Sequence, residues 1–120
     1  RLWRHQRHPG LPSFGLTGCA GRQRSATDLA VLIDGTPGEH IPVTDRGLSY
    51  GDGLFETLAL AGGGPCLWRR HLQRLAAGCR GLGIVAPDPE GLRREAVKAM
   101  AGRSDGVLKI ISSRAARPAG

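Results

Sequence analysis

An alternating segment followed closely by a helical one constrains the fold of this chain more than any other feature. Residues 54 to 60 alternate Leu, Glu, Leu and Leu with Phe, Thr and Ala, as in a strand with two unlike faces. Residues 69 to 82 then place apolar side chains at three- and four-residue steps, which predicts a helix with one apolar stripe. The stripe consists of Leu72, Leu75, Ala76, Cys79 and Leu82. Strands and helices mixed in this way predict one compact α+β domain.

Shorter signals predict the remaining strands. Residues 29 to 33 form an apolar run closed by the turn pair Asp34-Gly35, and residues 107 to 111 form a second run. Both predict strands. The Gly-Gly-Gly-Pro segment at residues 62 to 65 predicts a turn, and residues 66 to 68 are expected to form the returning strand of a hairpin.

Capping residues mark the ends of two helices. Gly83 is the expected C-cap of the first helix. The second is expected to begin after Asp88, which is the N-cap, with Pro89 in its first turn. It should run to about residue 101, where Gly102 ends it. Its inward side chains are expected to be Leu92, Ala96, Val97 and Met100.

The net charge of +7 is concentrated at the start of the chain. Residues 1 to 27 carry five arginines and no acidic residue, which leaves 12 basic and 10 acidic residues, a balance of +2, for residues 28 to 120. Because the first segment is rich in Gly, Pro, Ser and Arg and has no periodicity, we expect a disordered basic leader. An ordered domain should cover residues 28 to 114, with an unstructured tail at 115 to 120. A basic arm can bind phosphate backbones, but the nearly neutral domain argues against a nucleic-acid partner.

Composition limits the other classes of function. Cys19, Cys66 and Cys79 show no paired spacing, so neither a zinc site nor a disulfide framework is indicated, and we expect no metal. Cys79 lies on the helical stripe and is expected to be a small buried hydrophobe. No apolar run approaches the length of a bilayer span, and the start lacks the continuous apolar segment of a signal peptide. The expectation is a cytoplasmic protein with no membrane partner.

Two motifs carry a resemblance to a known family. The chain contains V-T-D-R-G-L-S-Y-G-D-G-L-F-E-T at residues 43 to 57 and R-H-L-Q-R-L at residues 70 to 75. In this order and spacing they resemble the N-terminal domain of the class IV aminotransferases, the fold-type IV enzymes that depend on pyridoxal 5′-phosphate (PLP). The G-V-L-K-I-I segment at residues 106 to 111 looks most like the aminodeoxychorismate lyase branch. The resemblance covers about residues 29 to 114 and implies a mainly antiparallel sheet with two packed helices.

The resemblance implies roles for three residues. Arg74, the arginine of H-x-x-R-L, would hold the PLP phosphate, because a planar guanidinium can bind phosphate bidentately. The alternative is a solvated arginine on a helix. Phe55 and Thr57 lie two residues apart and share one face of a strand, which in the family borders the substrate side of the cofactor. Thr57 would offer a hydroxyl for substrate or proton handling. Phe55 would form a wall, with plain core packing as an equal alternative.

Structural roles are expected for the neighbours of these residues. Glu56 should point to the face opposite Phe55 and Thr57. The glycines on either side of Asp52 should serve a tight turn into the strand. Asp45 and Arg46 could pair and fix this loop. His71 is expected to pack or to form a hydrogen bond rather than to act as an acid or base.

The catalytic lysine of the family has no counterpart among the residues of this chain. The two lysines, Lys98 and Lys109, do not match its position, which lies in the family's C-terminal domain. No catalytic residue is therefore assigned here, and the chain alone is expected to be an inactive fragment. After Arg114 the sequence also departs from the Gly-rich pattern of the lyase branch, which indicates truncation or a changed reading frame.

The resemblance implies an enzyme acting on a small molecule. The parent protein is expected to be a homodimeric PLP-dependent lyase that converts 4-amino-4-deoxychorismate to 4-aminobenzoate and pyruvate in folate biosynthesis. Two alternatives remain open. The first is a branched-chain or D-amino-acid transaminase of the same fold, and the second is a non-catalytic binding module with a basic tail.

The leader can be tested directly. Residues 1 to 25 have no periodic apolar face, so their backbone amides should exchange hydrogen at the rate of an unfolded chain. Hydrogen exchange followed by mass spectrometry measures this, and strong protection in that segment would contradict the prediction.

Overall fold

The computed structural model describes residues 30–114 of the chain. The expected leader at 1–27 and tail at 115–120 lie outside the described residues. In chain order the elements are β1 (Leu32–Ile33), β2 (Thr36–Pro37), α1 (Arg46–Tyr50), β3 (Gly53–Ala61), β4 (Gly64–Pro65), α2 (Trp68–Leu82), α3 (Pro89–Met100) and β5 (Gly106–Ser113). The fold is α+β, as expected.

The described part of the chain contains two antiparallel sheets. β1 and β2 form a short two-stranded sheet. The larger sheet has the order β4-β3-β5, so β3 lies in its centre. β5 pairs with β3 along nearly its whole length, from Gly53 opposite Ser113 to Leu60 opposite Gly106. This long register defines which side chains of β3 and β5 share a face.

One face of the larger sheet is buried against α2. Leu58 of β3 and Ile110 of β5 form the core with Leu75 and Cys79 of α2. Ile84, just beyond the helix, completes the buried cluster. The predicted strand and helical stripe therefore pack on each other, and Cys79 is fully buried as expected.

Both long helices end as their capping residues predict, with one difference. Gly83 is the left-handed C-cap of α2 with φ 64°, and the Asp88 side chain accepts a hydrogen bond of 2.7 Å from Gly91 N at the start of α3. At the end of α3, Ala101 is itself the left-handed cap and Gly102 follows it. A residue in the left-handed conformation thus caps the C-terminal end of each helix.

Two expectations about local structure were wrong. Residues 66 to 68 do not form the returning strand, because Gly64–Pro65 already makes the pairing with β3 and Trp68 opens α2. The chain turns between them at Leu67, which has φ 53°. The strand predicted at 29 to 33 is reduced to Leu32–Ile33 in the described residues.

Two side chains expected to face inward are exposed. Leu82 in the last turn of α2 is 44% exposed, and Val97 of α3 is 62% exposed. Leu82 lies at the end of the contact between α2 and the sheet. Ala96 and Met100 take the buried side of α3 instead, so the packed face of this helix is narrower than the apolar stripe.

The sequence pattern did not predict helix α1. Its five residues have no apolar stripe, and it forms because Asp45 accepts a hydrogen bond from Leu48 N at its start and Gly51 adopts φ 65° at its end. Gly53 then begins β3 so close to the neighbouring strand that a Cβ there would lie 2.7 Å from Ser112 O. The expected glycine turn into the strand is present, with a short helix before it.

No helix in residues 30–114 combines the length and apolar character needed to cross a membrane. In the same part of the chain, His, Cys, Asp and Glu form no group of three or more that could bind a metal ion.

The core makes a quantitative prediction about stability. Leu75 is 1% exposed, so Leu75→Ala should lower the free energy of unfolding by about 2–5 kcal/mol through lost burial and a cavity. Leu82→Ala, on the exposed end of the same helix, is the matched control and should cost less than about 1 kcal/mol. Urea unfolding followed by tryptophan fluorescence compares the two, and equal losses would show that the core is placed wrongly.

Candidate functional site

The alternation of β3 sends the candidate site residues to opposite faces of the sheet. Glu56 points toward α2 and is 4% exposed. Phe55 and Thr57 point to the other face, where both are exposed. Arg74 lies on α2 and contacts Glu56, so the structure does not bring Arg74 together with Phe55 and Thr57 on one face.

Glu56 is the centre of a network of hydrogen bonds with α2. Arg74 donates from Nε to Glu56 Oε1 at 2.7 Å and from Nη2 to Oε2 at 2.5 Å. His71 Nδ1 lies 2.6 Å from Oε2. The two partners are three residues apart on α2, hence on the same side of the helix. We call Glu56, His71 and Arg74 the Glu56 network.

The charges in this network are well defined. The hydrogen bonds from Arg74, above all, lower the pKa of Glu56 to about 2 against the cost of burial, and His71 acts in the same direction. Glu56 is therefore a carboxylate at neutral pH. A carboxylate only accepts hydrogen bonds, so the Nδ1 atom of His71 must carry the proton that it shares with Glu56. The expected hydrogen-bonding role of His71 is confirmed.

Arg74 keeps much of its side chain in contact with solvent. Its side chain is 71% exposed, whereas that of Glu56 is 4% exposed. The guanidinium offers five N–H donors in a planar fork. Glu56 takes the edge formed by Nε and Nη2, and the edge that includes Nη1 faces away from it.

The open face of the larger sheet carries Phe55, Thr57 and a lysine that the sequence did not place there. Lys109 of β5 is paired in register with Thr57. Its Nζ lies 4.4 Å from the centre of the Phe55 ring, which is a cation–π contact. Phe55 is 61% exposed and Val107 on the same face is 69% exposed. Only the strand register reveals this neighbourhood, because Lys109 is far from Phe55 in sequence.

A second polar cluster joins the loop before β3 to the end of β5. Asp52 accepts hydrogen bonds from Arg46 Nε at 2.9 Å and from Arg114 Nε at 2.7 Å. Arg46 first, and then Arg114, hold the pKa of Asp52 below its ordinary value. Arg46 thus binds Asp52, while Asp45 caps α1 and accepts a hydrogen bond from Ser113 Oγ at 3.3 Å.

A groove of about 490 Å³ lies beside β5, between β1 and α3. None of Phe55, Thr57 and Arg74 lines it. Val107 and Lys109 of the open sheet face also line this groove. We therefore place the candidate site at the Glu56 network and around Phe55 and Thr57, which do not line it.

Comparison with known proteins decides the family. The family described as "Amino-transferase class IV" matches residues 53–120, which is more than half of the chain. The chain belongs to the class IV aminotransferases. Enzymes of this family depend on PLP.

Three relatives of the class IV aminotransferase family are especially similar. A 4-amino-4-deoxychorismate lyase from Pseudomonas aeruginosa has 48% identity and a TM-score of 0.63, over 72% of this chain and 32% of that one. A hypothetical aminotransferase from Mycobacterium tuberculosis, solved in a PLP-bound form, has 32% identity and a TM-score of 0.61, over 68% of this chain and 31% of that one. A bifunctional aminodeoxychorismate lyase/D-amino acid transaminase from M. tuberculosis is 37% identical over 72% of this chain and 31% of its own length. The chain thus spans about a third of each of these class IV proteins.

The Glu56 network predicts how stability depends on pH. The pKa of Glu56 falls from 4.5 to about 2 on folding, so its contribution is complete above about pH 4.5 and is lost as the pH falls toward 2. The free energy of unfolding should therefore drop by about 1.5–3 kcal/mol over this window because of Glu56 alone, a range typical of hydrogen bonds to a charged group. Urea unfolding between pH 5 and pH 2.5 measures the drop.

Two variants isolate the effect of Glu56. Glu56→Gln should lose much of this pH dependence, because the group that titrates is gone. Glu39→Gln, at an exposed glutamate, should keep the wild-type dependence. An unchanged pH dependence in Glu56→Gln would show that the buried carboxylate is not held as described.

Proposed function

We propose that this chain forms the small domain of a PLP-dependent lyase that converts 4-amino-4-deoxychorismate to 4-aminobenzoate and pyruvate. The observation that carries the proposal is Arg74, an exposed guanidinium fixed on one edge by a buried carboxylate. The 48% identity to the lyase of P. aeruginosa favours this reaction within the family. We propose also that the whole protein is a cytoplasmic homodimer that serves folate biosynthesis.

The residues of this chain fit the phosphate of PLP. A phosphate needs donors that stay charged and can meet two oxygens at once, which a guanidinium provides. Arg74 holds such donors in contact with solvent, and its Glu56 partner is on the opposite edge. Arg74 would hold the phosphate of PLP, and when bound the cofactor supplies an electron sink for the bonds that break.

The open face would meet the substrate. Phe55 would form a flat wall and Thr57 would present a hydroxyl that donates or accepts a proton or a hydrogen bond. No role as the catalytic amine is assigned to Lys98, which is exposed on α3, or to Lys109, which lies over the Phe55 ring. We propose that this amine comes from a part of the protein outside this chain.

A transaminase is the second candidate. The relative from M. tuberculosis that is 37% identical over 72% of this chain is a bifunctional aminodeoxychorismate lyase/D-amino acid transaminase, which favours a transaminase as the alternative. A branched-chain or D-amino-acid transaminase would use Arg74 in the same way, so the two functions differ in substrate and not in the phosphate site.

The deciding experiment uses the longest protein that the gene and its neighbouring DNA encode. With PLP and 4-amino-4-deoxychorismate it should release 4-aminobenzoate and pyruvate in equal amounts, and this release should exceed any transamination of D-alanine or leucine with 2-oxoglutarate. If the protein transaminates D-alanine or leucine but releases no 4-aminobenzoate, the proposed lyase is wrong and the transaminase is the function. The 120-residue chain alone is the control and should release no 4-aminobenzoate.

Arg74→Ala in that longer protein tests the phosphate site. Loss of a charge-assisted contact of about 1.5–3 kcal/mol should weaken PLP binding by roughly 10- to 150-fold. Because Glu56 also loses its main partner, the unfolding midpoint of the PLP-free protein should fall too, so PLP affinity is compared well below that midpoint. Arg70→Ala, at an exposed arginine on the same helix, should bind PLP as wild type does. Equal PLP affinity in both variants would remove Arg74 from the site.

A further inference from the structure

We propose that Glu56 is a positioning residue that presents one edge of Arg74 to a phosphate monoester. The inference rests on the proposed function, since it takes the phosphate of PLP as the ligand of Arg74. It assigns to the glutamate in the middle of β3 a role in that site, although its side chain is buried and cannot meet the ligand itself.

Two hydrogen bonds fix the orientation of the Arg74 guanidinium. Glu56 binds Arg74 through Nε and Nη2, and both contacts are shorter than 2.8 Å. Two bonds to one planar group define its plane and its rotation, whereas one bond would leave it free to turn. The other edge of the guanidinium, formed by Nη1 and the remaining hydrogen of Nη2, is then aimed away from β3.

The rigidity of the Glu56 carboxylate supports this orientation. Glu56 projects from the central strand of the sheet, next to the fully buried Leu58. His71 contacts Oε2, the same oxygen that binds Arg74 Nη2. The Glu56 carboxylate is fixed by its strand and by His71. It can therefore hold in place an arginine whose own side chain is 71% exposed.

The conformational entropy of the Arg74 side chain also affects how tightly it binds an anion. A free arginine on a helix surface loses side-chain freedom when it binds an anion, and that loss weakens binding. Here most of it has already been lost to the folding of the Glu56 network. The preorganised edge should therefore bind phosphate more tightly than a solvated arginine of the same charge would.

Electrostatics alone predicts the opposite sign, which makes the proposal testable. Removing the negative charge of Glu56 beside Arg74 would strengthen the attraction of the guanidinium for an anion. Removing the hydrogen bonds that orient Arg74 should weaken its binding of an anion. Glu56→Gln eliminates the charge, and Glu56→Asp retains the charge on a side chain that is one carbon shorter and too short for the same bidentate contact.

The experiment uses the full 120-residue chain and pyridoxine 5′-phosphate, which has the ring and phosphate of the cofactor without the aldehyde that reacts with lysines. Two-dimensional NMR of the arginine side chains follows Arg74 Nε and Nη during titration at low chloride. In the wild type the Nε–H signal should be protected from exchange, and the Nη signals should shift with a Kd on the order of 10 mM, as expected for one charge-assisted site. Pyridoxine without phosphate should leave them in place, and Arg70 should not respond.

The variants decide between positioning and charge. Glu56→Gln and Glu56→Asp should lose the protection of Arg74 Nε–H and bind pyridoxine 5′-phosphate at least about threefold more weakly. Arg74→Lys retains the positive charge at this exposed position but lacks a planar guanidinium with two hydrogen-bonding edges. It should weaken binding by a similar factor. The last variant tests the same geometry if the Glu56 variants do not fold.

Contrary results separate this inference from the proposed function. Equal or tighter binding by folded Glu56→Gln, or wild-type binding by Arg74→Lys, would overturn the positioning role and leave Arg74 as a simple charged anchor. Wild-type binding by Arg74→Ala, or no shift of the wild-type Arg74 signals at any concentration, would reject both the positioning role and Arg74 as the phosphate site. The lyase assay of the longer protein is independent of these outcomes.

Discussion

A carboxylate enclosed between a strand and a helix is the constraint on which the rest of this domain depends. A buried charge without partners is costly enough that a protein excludes it or pairs it. Glu56 is 4% exposed and sits between Leu54 and Leu58 on the packed face of β3. The domain pairs it with two residues of α2, one of which reaches it from the solvent side.

This pairing links the position of the helix to that of the strand. Leu75 and Cys79 would pack on an apolar sheet in several ways, because dispersion and burial have little direction. His71 and Arg74 allow only those placements in which both reach Glu56. Apolar packing thus stabilises the contact of α2 with the sheet. The Glu56 network favours one rotation of α2 about its axis and one position of α2 along that axis.

The sequence predicted the periodic elements well and the connections poorly. The alternation at 54 to 60 and the stripe in α2 are repeated signals, and the structure contains both elements within one residue of the expected ends. The segment at 66 to 68 has no such repeat. There, a left-handed Leu67 and the packing of Trp68 on the core outweighed the strand preference of an apolar triplet. The short α1 depends on its caps alone, so periodicity could not reveal it.

The candidate site shows the same division. That Glu56 and Phe55 point to opposite faces follows from the period of a strand, and the sequence predicted it. That Glu56 binds Arg74, 18 residues away, depends on how α2 lies on the sheet, and no local pattern encodes it. Lys109 over Phe55 likewise depends on the register of β3 with β5. Motif resemblance points to Arg74, but only the packed structure shows what holds it.

The two faces of the larger sheet therefore differ in composition and exposure. On the packed face, the apolar residues form the core and both oxygens of Glu56 accept hydrogen bonds from α2. The open face exposes an aromatic ring and a valine and carries the half-buried Lys109, on a strand pair whose other face is buried. The chain spans about a third of its relatives, and such a face supports our proposal that the domain contributes one wall of a larger site. In the proposed arrangement Glu56 would link the phosphate contact to the substrate wall, since the strand that carries Phe55 and Thr57 on its open face binds Arg74 through Glu56 on the packed face. A shift of β3 relative to α2 would then move the proposed phosphate contact and the proposed substrate wall together, so the distance between them is set by one strand rather than by a flexible loop.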